Sequence, residues 1–436
     1  MSRVVVVGGG FAGLASAARL AKLGHEVTLL ERLPRLGGAL VPVTVGDWSW
    51  DTTHATLLPA VIRDLFRKSG RPVERELELV PLGLVREHVF EDASVLRLPG
   101  ESRAAQITAF DGLGPGLGRQ WVDHVASYAD DWEVLRRAYL EVPWTPDSLP
   151  GEVAARLDSR EVLHRRLRKT FKDERLRLVA AHPFVAEGHD PRNVPAWAGL
   201  VAYLEQRFGA WTVEGGMGAL ADALTARLAT RRVAVETGVT VEDVVVRDGR
   251  AVAVRTSTGE VDADVVVVAV DPRTLPALAA HVVRTMPAMP PVVAHVGLEG
   301  ELSDELAAMP HETVLHGDPM LVVRTGGRAP AGGAAWTVHG RGKIAEDLLH
   351  ALARHGVDLR PHVVERVDRS PREMVEHWRS SPHGVLWQGR ATVRRRLGPA
   401  TPIPGVYAAG AHATPGGGLP FVGLSAALVA QAVGPA

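Results

Sequence analysis

The chain has 436 residues, no cysteine and a formal net charge of −1, with 49 Lys and Arg set against 50 Asp and Glu. Absent thiols exclude disulfides, thiolate metal sites, disulfide-reductase chemistry and flavin attachment through cysteine. The balanced, interspersed charge excludes an electrostatic footprint for nucleic acid. A chain of this length suits two closely packed domains with a core large enough to need no staple. No apolar stretch reaches membrane-spanning length without a charge or proline. No room for a secretory signal precedes the first strand, so a cytoplasmic protein is expected, with peripheral membrane contact left open and oligomeric state unset.

Val4–Val7 is a β-branched run expected as a strand buried on both faces. Gly8-Gly9-Gly10-Phe11-Ala12-Gly13 follows with G-x-G-x-x-G spacing. Its first glycine permits a tight turn, its second lets backbone approach a pyrophosphate, and its third lets the next helix pack on the sheet. That helix, expected over Leu14–Leu23, aims its N-terminal amides at the phosphates. A second strand, His25–Leu30, delivers Glu31 as an acceptor for ribose hydroxyls, and an acid there disfavours the 2′-phosphate of NADP. Arg32-Leu33-Pro34-Arg35-Leu36-Gly37-Gly38 then sets a glycine pair shortly after the acid. Here the chain resembles the glutathione-reductase-like flavoproteins, in which such a pair lies along FAD. The resemblance implies FAD as cofactor, with Phe11, Ala12, Arg32, Gly37, Gly38 and Ala39 beside it. Amine-oxidase relatives tend to carry a phosphate-binding Arg where this chain has Ala39, and Arg35 is the candidate substitute.

Leu58–Ser69 has helical apolar spacing. From Leu84 to about Gly209 turn-rich pieces alternate with helix-like segments such as Trp132–Leu140 and Ser159–Lys172. The tryptophans of this region suit either an apolar cavity or plain core. Gly215-Gly216-Met217-Gly218 introduces a helix over Ala219–Ala229. The strands Arg232–Val235, Val239–Arg247 and Ala251–Thr256 follow, with turns at Asp248-Gly249 and Thr258-Gly259 that define a small meander. Val265–Val270 reads as a return to the buried parallel sheet. The resemblance implies that this meander caps the FAD domain and that backbone near Val239 lies by the adenine.

Near the end, Gly405–Ala411 reads as a turn, a short strand and a small-residue stop. Pro415-Gly416-Gly417-Gly418-Leu419-Pro420-Phe421 leads into a helix expected over Leu424–Val433. Glycines before a helix N-terminus let amides crowd against a flat, partly anionic group such as a flavin. This segment, with Gly215–Leu220, resembles the phytoene desaturase family of carotenoid desaturases. The resemblance implies an α/β protein: a Rossmann-like FAD-binding domain, of parallel sheet plus meander, and a discontinuous α+β substrate domain. Expected boundaries are 1–85, 210–275 and 395–436 for the first, and 86–209 and 276–394 for the second. It places Gly410, Ala411, Gly417, Gly418, Leu419, Pro420 and Phe421 at the flavin.

The family's Asp-x-Gly-Pro turn is replaced by Asp51-Thr52-Thr53-His54. Desaturation removes a hydride to flavin N5 and releases a proton, and histidine is suited to take the proton near neutral pH. His54 is therefore the candidate base, with an ordered loop as its bland alternative. His182, His316 and His383 lack supporting spacing, and His412 adjoins the C-terminal motif. The expected activity is oxidation of an apolar, unsaturated or secondary-metabolite-like small molecule. Redox-neutral isomerisation, amine oxidation and non-catalytic binding on the same fold stand as alternatives, and no metal site is expected.

Overall fold

The computed structural model describes residues 1–53, 55–100, 102–145 and 147–436. Five strands form a wholly parallel sheet: β1 (Arg3–Val7), β2 (Glu26–Glu31), β3 (Ala234–Thr237), β4 (Val265–Val268) and β5 (Val406–Ala408), in the order β3-β2-β1-β4-β5. β1 lies at the centre because its valines are apolar on both faces. Val4 registers against Val27 on one side and Val265 on the other, and Val4–Val7 are no more than 3% exposed. Four helices bear on the site: α1 (Phe11–Lys22), α2 (Glu174–Ala186), α3 (Gly218–Thr230) and α4 (Leu419–Val433). α1, α3 and α4 share one apolar cluster against this sheet. The antiparallel meander of Val241–Arg247, Arg250–Thr256 and Gly259–Asp262 packs on the opposite face.

A second sheet has seven strands in the order Val363–Arg369, Val292–Leu298, Ala334–Arg341, Met320–Arg324, Glu312–Leu315, Leu84–Val89, Val95–Pro99. The hairpin Leu84–Pro99 joins it through a parallel pairing in which His88 registers against Val314. This hairpin was not expected from the sequence. Its turn runs through Ala93 at φ +62, and its sheet partner lies more than two hundred residues away.

Helices between Arg103 and Phe208 form a layer with its own aromatic core. Trp121 stacks on Phe110 with ring centroids 4.4 Å apart, and Tyr139 meets Trp144 and Trp197. These tryptophans are buried and pack against other aromatic rings. Element ends shift from expectation in several places. α4 begins at Leu419 rather than Leu424, because Pro420 suits a first helical turn. The segment expected as a helix over Ser159–Lys172 is helical only from Leu163 to Thr170. Trp132–Leu140 divides into the end of an α-helix and a π-turn. Among the described residues no helix is long and apolar enough to cross a membrane.

Candidate functional site

At the C-terminal edge of the parallel sheet the chain turns from β1 into α1 through Gly8–Gly13. A Cβ on Gly13 would lie 1.8 Å from the Gly8 carbonyl oxygen, so only glycine lets α1 pack this closely. The 37–38 loop crosses the turn: Gly37 N–H donates to Gly9 O at 2.8 Å, and a Cβ on Gly38, whose φ is +56, would meet Gly10 Cα at 2.8 Å. Gly10 behaves differently. Its φ of −72 and ψ of −178 are open to any residue, and its nearest neighbour would be Gly38 Cα at 3.8 Å. Neither the backbone nor the packing of the protein requires glycine at position 10. The space a Cβ would fill lies at the N-terminus of α1, where a phosphate fits.

Glu31 ends β2 with both carboxylate oxygens oriented: Oε2 accepts from Gly9 N–H at 2.6 Å and Oε1 from Leu33 N–H at 2.7 Å. Two further lone-pair positions remain for hydroxyl donors. Val239 N–H donates to Glu31 O at 3.0 Å, which brings that residue to the same edge. The nearby cations are directed elsewhere. Arg35 reaches Asp222 on α3 at 3.5 Å, and Arg32 donates to the carbonyl of His377. The Ala39 carbonyl accepts from the hydroxyls of Thr52 and Thr53.

The C-terminal motif meets this turn. A Cβ on Gly410 would be 3.3 Å from Ala12 Cβ, and Gly410 N–H donates to Ser425 Oγ of α4 at 2.8 Å. A Cβ on Gly423 of α4 would lie 3.3 Å from the Phe11 ring, so that ring serves packing. Gly418 caps α4, whose first-turn amides have no intrahelical acceptors. Gly417, Gly418, Leu419 and Phe421 remain only half-buried, whereas Pro420 is buried. The preceding loop is pinned by Arg396, whose guanidinium donates to Pro415 O at 2.8 Å and Val385 O at 3.1 Å. That guanidinium lies over the Trp387 ring at 4.5 Å, and burial pulls its pKa down to about 10. His412 meets Ser380 Oγ at 3.1 Å, Ser381 O at 3.0 Å and the Arg273 guanidinium at 3.3 Å. It ties the sheet edge to a neighbouring turn.

Two distant motifs explain each other at α3. Asp51 Oδ2 accepts from Met217 N–H at 3.2 Å, and a Cβ on Gly216 would lie 2.5 Å from the same oxygen. Asp51 thus caps α3 through the gap the glycines leave. Burial raises its pKa, opposed by the amides of Met217 and Gly218. Beside it a 160 Å³ cavity is bordered by Gly216, Thr212, Arg324, Thr325 and Thr337. His54, the candidate base, lies outside the described residues.

Sequence reasoning missed a buried polar seam between the helical layer and the seven-stranded sheet. Arg86 makes paired hydrogen bonds to Glu205 and a 3.2 Å bond to Glu312, which also accepts from Arg324 at 2.9 Å. His88, two residues from Arg86 on the same strand face, meets His316 at 2.9 Å and packs edge-on against His182. Burial holds His316 at about 4, and holds His88 and His182 well below the usual 6.5, with nearby positive groups adding to the effect. These rings stay neutral when folded but titrate near 6.5 when unfolded, so protons favour the unfolded chain. Stability is therefore present above pH 6.5 and is lost as pH falls toward 4. Melting temperatures measured from pH 7.5 to 4.5 should decline, and His316→Gln should flatten that decline; parallel curves would refute the assignment. Among the described residues no group of three His, Asp or Glu is arranged to hold a metal.

The donor set fits a dinucleotide: a cradle at Gly10, an oriented acid at Glu31, and two helix N-termini held together by α1–α4 packing. Residues 11–434 match the family model for flavin containing amine oxidoreductases. Hydroxyneurosporene desaturase from Cereibacter sphaeroides is 30% identical, covering 99% of this chain and 97% of that protein. 4,4′-Diapolycopene oxygenase from Methylomonas sp. is 26% identical, over 98% of this chain and 97% of that protein. The structure of wild-type putrescine oxidase bound to putrescine superimposes with a TM-score of 0.70 at 16% identity. It covers 99% of this chain and 98% of that one, a likeness of fold alone.

Proposed function

The chain belongs to the flavin containing amine oxidoreductase family, and from that premise we propose that it is an FAD-dependent desaturase of an apolar polyene of the carotenoid type. Membership makes it a flavin-dependent oxidoreductase; the choice of FAD and of substrate is our reading. The observation that carries FAD is Gly10, a glycine that the protein's own backbone and packing do not require. The full-length similarity to a hydroxyneurosporene desaturase supports the substrate class. A bound flavin supplies hydride acceptance at N5 from a C–H held over its ring.

The chain's own residues divide the remaining work. Glu31 accepts the ribose hydroxyls, with Val239 backbone at the adenine. Gly8, Gly10 and the first amides of α1 would hold the pyrophosphate, with Gly37-Gly38 packed beside that turn. Gly410, Ala411 and the Gly417–Phe421 turn hold the flavin end. The FAD-binding unit comprises 1–85, 210–275 and 395–436, and the substrate unit 86–209 and 276–394. Phe421 and Leu424 pack against the aromatic core, which fixes that end of the chain.

Purified protein should carry the visible absorption of FAD, and anaerobic hydroxyneurosporene in detergent micelles should bleach it. A chain that neither retains nor takes up FAD would sink the reading. A product of unchanged mass, formed only with reduced flavin, would select isomerisation over desaturation.

A further inference from the structure

Four chain segments that are far apart in sequence surround one carboxylate. Glu187 follows the last turn of α2, and its Oε1 lies 4.0 Å from where a Gly418 Cβ would stand at the mouth of α4. Its Oε2 is 3.7 Å from His189 Nε2. Trp387 N–H points at His189 Nδ1 from 3.4 Å, so in the neutral ring the proton sits on Nε2, toward Glu187. Arg341 adjoins from the seven-stranded sheet, donating through Nε to Ala186 O at 2.7 Å and through Nη1 to Met289 O, while its Nη2 is buried without a partner. His383 stands in the turn whose carbonyl would lie 2.8 Å from a Gly417 Cβ. Arg396 completes the group from beneath the 415–418 loop.

Glu187 keeps 39% of its side-chain surface open. Burial is nevertheless the largest influence on its ionisation, raising its pKa, with His189, His383 and Arg341 outweighing that effect to leave the carboxyl below its usual range. His383, which stands against Gly417, is held at about 4 by burial and is neutral at pH 7; Arg341 is lowered to about 10 by burial and remains charged.

We propose that Glu187, beside Gly418 at the mouth of α4, is the group that accepts the substrate's proton. The proposal rests on the desaturase reading above. In that reaction one carbon gives a hydride to the flavin and its neighbour gives a proton to the Glu187 carboxylate. The electron pair of the second C–H bond becomes the new double bond, and the neutral acid then returns its proton toward His189 or solvent. Glu187 is ionised at neutral pH and so ready to accept; the cations Arg341 and Arg396 and the rings of His189 and His383 are the charged and titratable groups that face it.

The test compares FAD-loaded wild type with Glu187→Gln and Glu187→Asp. Removing a negative charge beside the flavin should move the FAD midpoint potential to a more positive value in Glu187→Gln, measured by dye-coupled reductive titration. Anaerobic bleaching by hydroxyneurosporene should slow about 10²–10⁴-fold in that variant, with partial recovery in Glu187→Asp. An unshifted potential overturns the placement, and unchanged bleaching overturns the proton role. If hydroxyneurosporene fails to bleach wild type, the substrate reading falls and the potential alone decides Glu187. Loss of FAD from wild type itself defeats the earlier reading.

Discussion

Gly10→Ala is expected to weaken FAD binding about 100-fold while leaving the cofactor-free protein as stable as wild type. The new methyl would find its nearest neighbour, Gly38 Cα, at 3.8 Å, an ordinary contact, and the backbone at φ −72 accepts alanine without strain. What the methyl does fill is the space in front of α1's first amides. A steric cost of about 3 kcal/mol there weakens binding roughly 100-fold. Gly13→Ala is the contrasting variant. Its Cβ would lie 1.8 Å from the Gly8 carbonyl, so α1 must move off the sheet, and FAD binding and apo stability should both fall, the latter by about 3 kcal/mol. Melting of FAD-stripped protein together with FAD titration by fluorescence quenching separates the two. If Gly10→Ala binds FAD normally, no ligand uses that space and the cofactor assignment at this turn fails.

Arg86→Met should be among the most damaging single changes to stability, although position 86 carries no motif. Arg86 is the common partner of Glu205 and Glu312, whose side chains are only 7% and 5% exposed. Removing the guanidinium strands Glu205 and leaves Glu312 to Arg324. Breaking one partner from a buried pair costs about 3–5 kcal/mol. Thermal unfolding should shift down sharply, and adding Glu205→Leu should recover part of the loss by removing the stranded charge. A melting temperature unchanged in Arg86→Met would show that water already reaches the seam.

The β1–α1 turn and its neighbours were legible because their pattern is local. Val4–Val7, the glycines, Glu31 and Gly37-Gly38 lie within one stretch of chain, and their spacing carries its own physical reasons. The meander and β4 were legible from apolar runs between glycine turns. The Leu84–Pro99 hairpin was not, since its place depends on pairing with Glu312–Leu315. Asp51 and Gly216 were each noticed within a separate motif, but nothing in either predicts that one caps the helix of the other. Arg35 was expected near phosphate from its position along the chain, and the direction of its side chain toward Asp222 is a tertiary fact.

The sequence by itself determined the parallel sheet around β1, the glycine turn, the acid at position 31 and the glycine-led C-terminal helix, because each arises from residues close enough in the chain to constrain one another. Only the tertiary structure decided which charges come together: Arg86 with Glu205 and Glu312, and Glu187 with His189, Arg341, His383 and Arg396. Burial and charge pairing depend on what lies across the interface between elements, and that is set by packing among segments as far apart as Glu187 and Gly418.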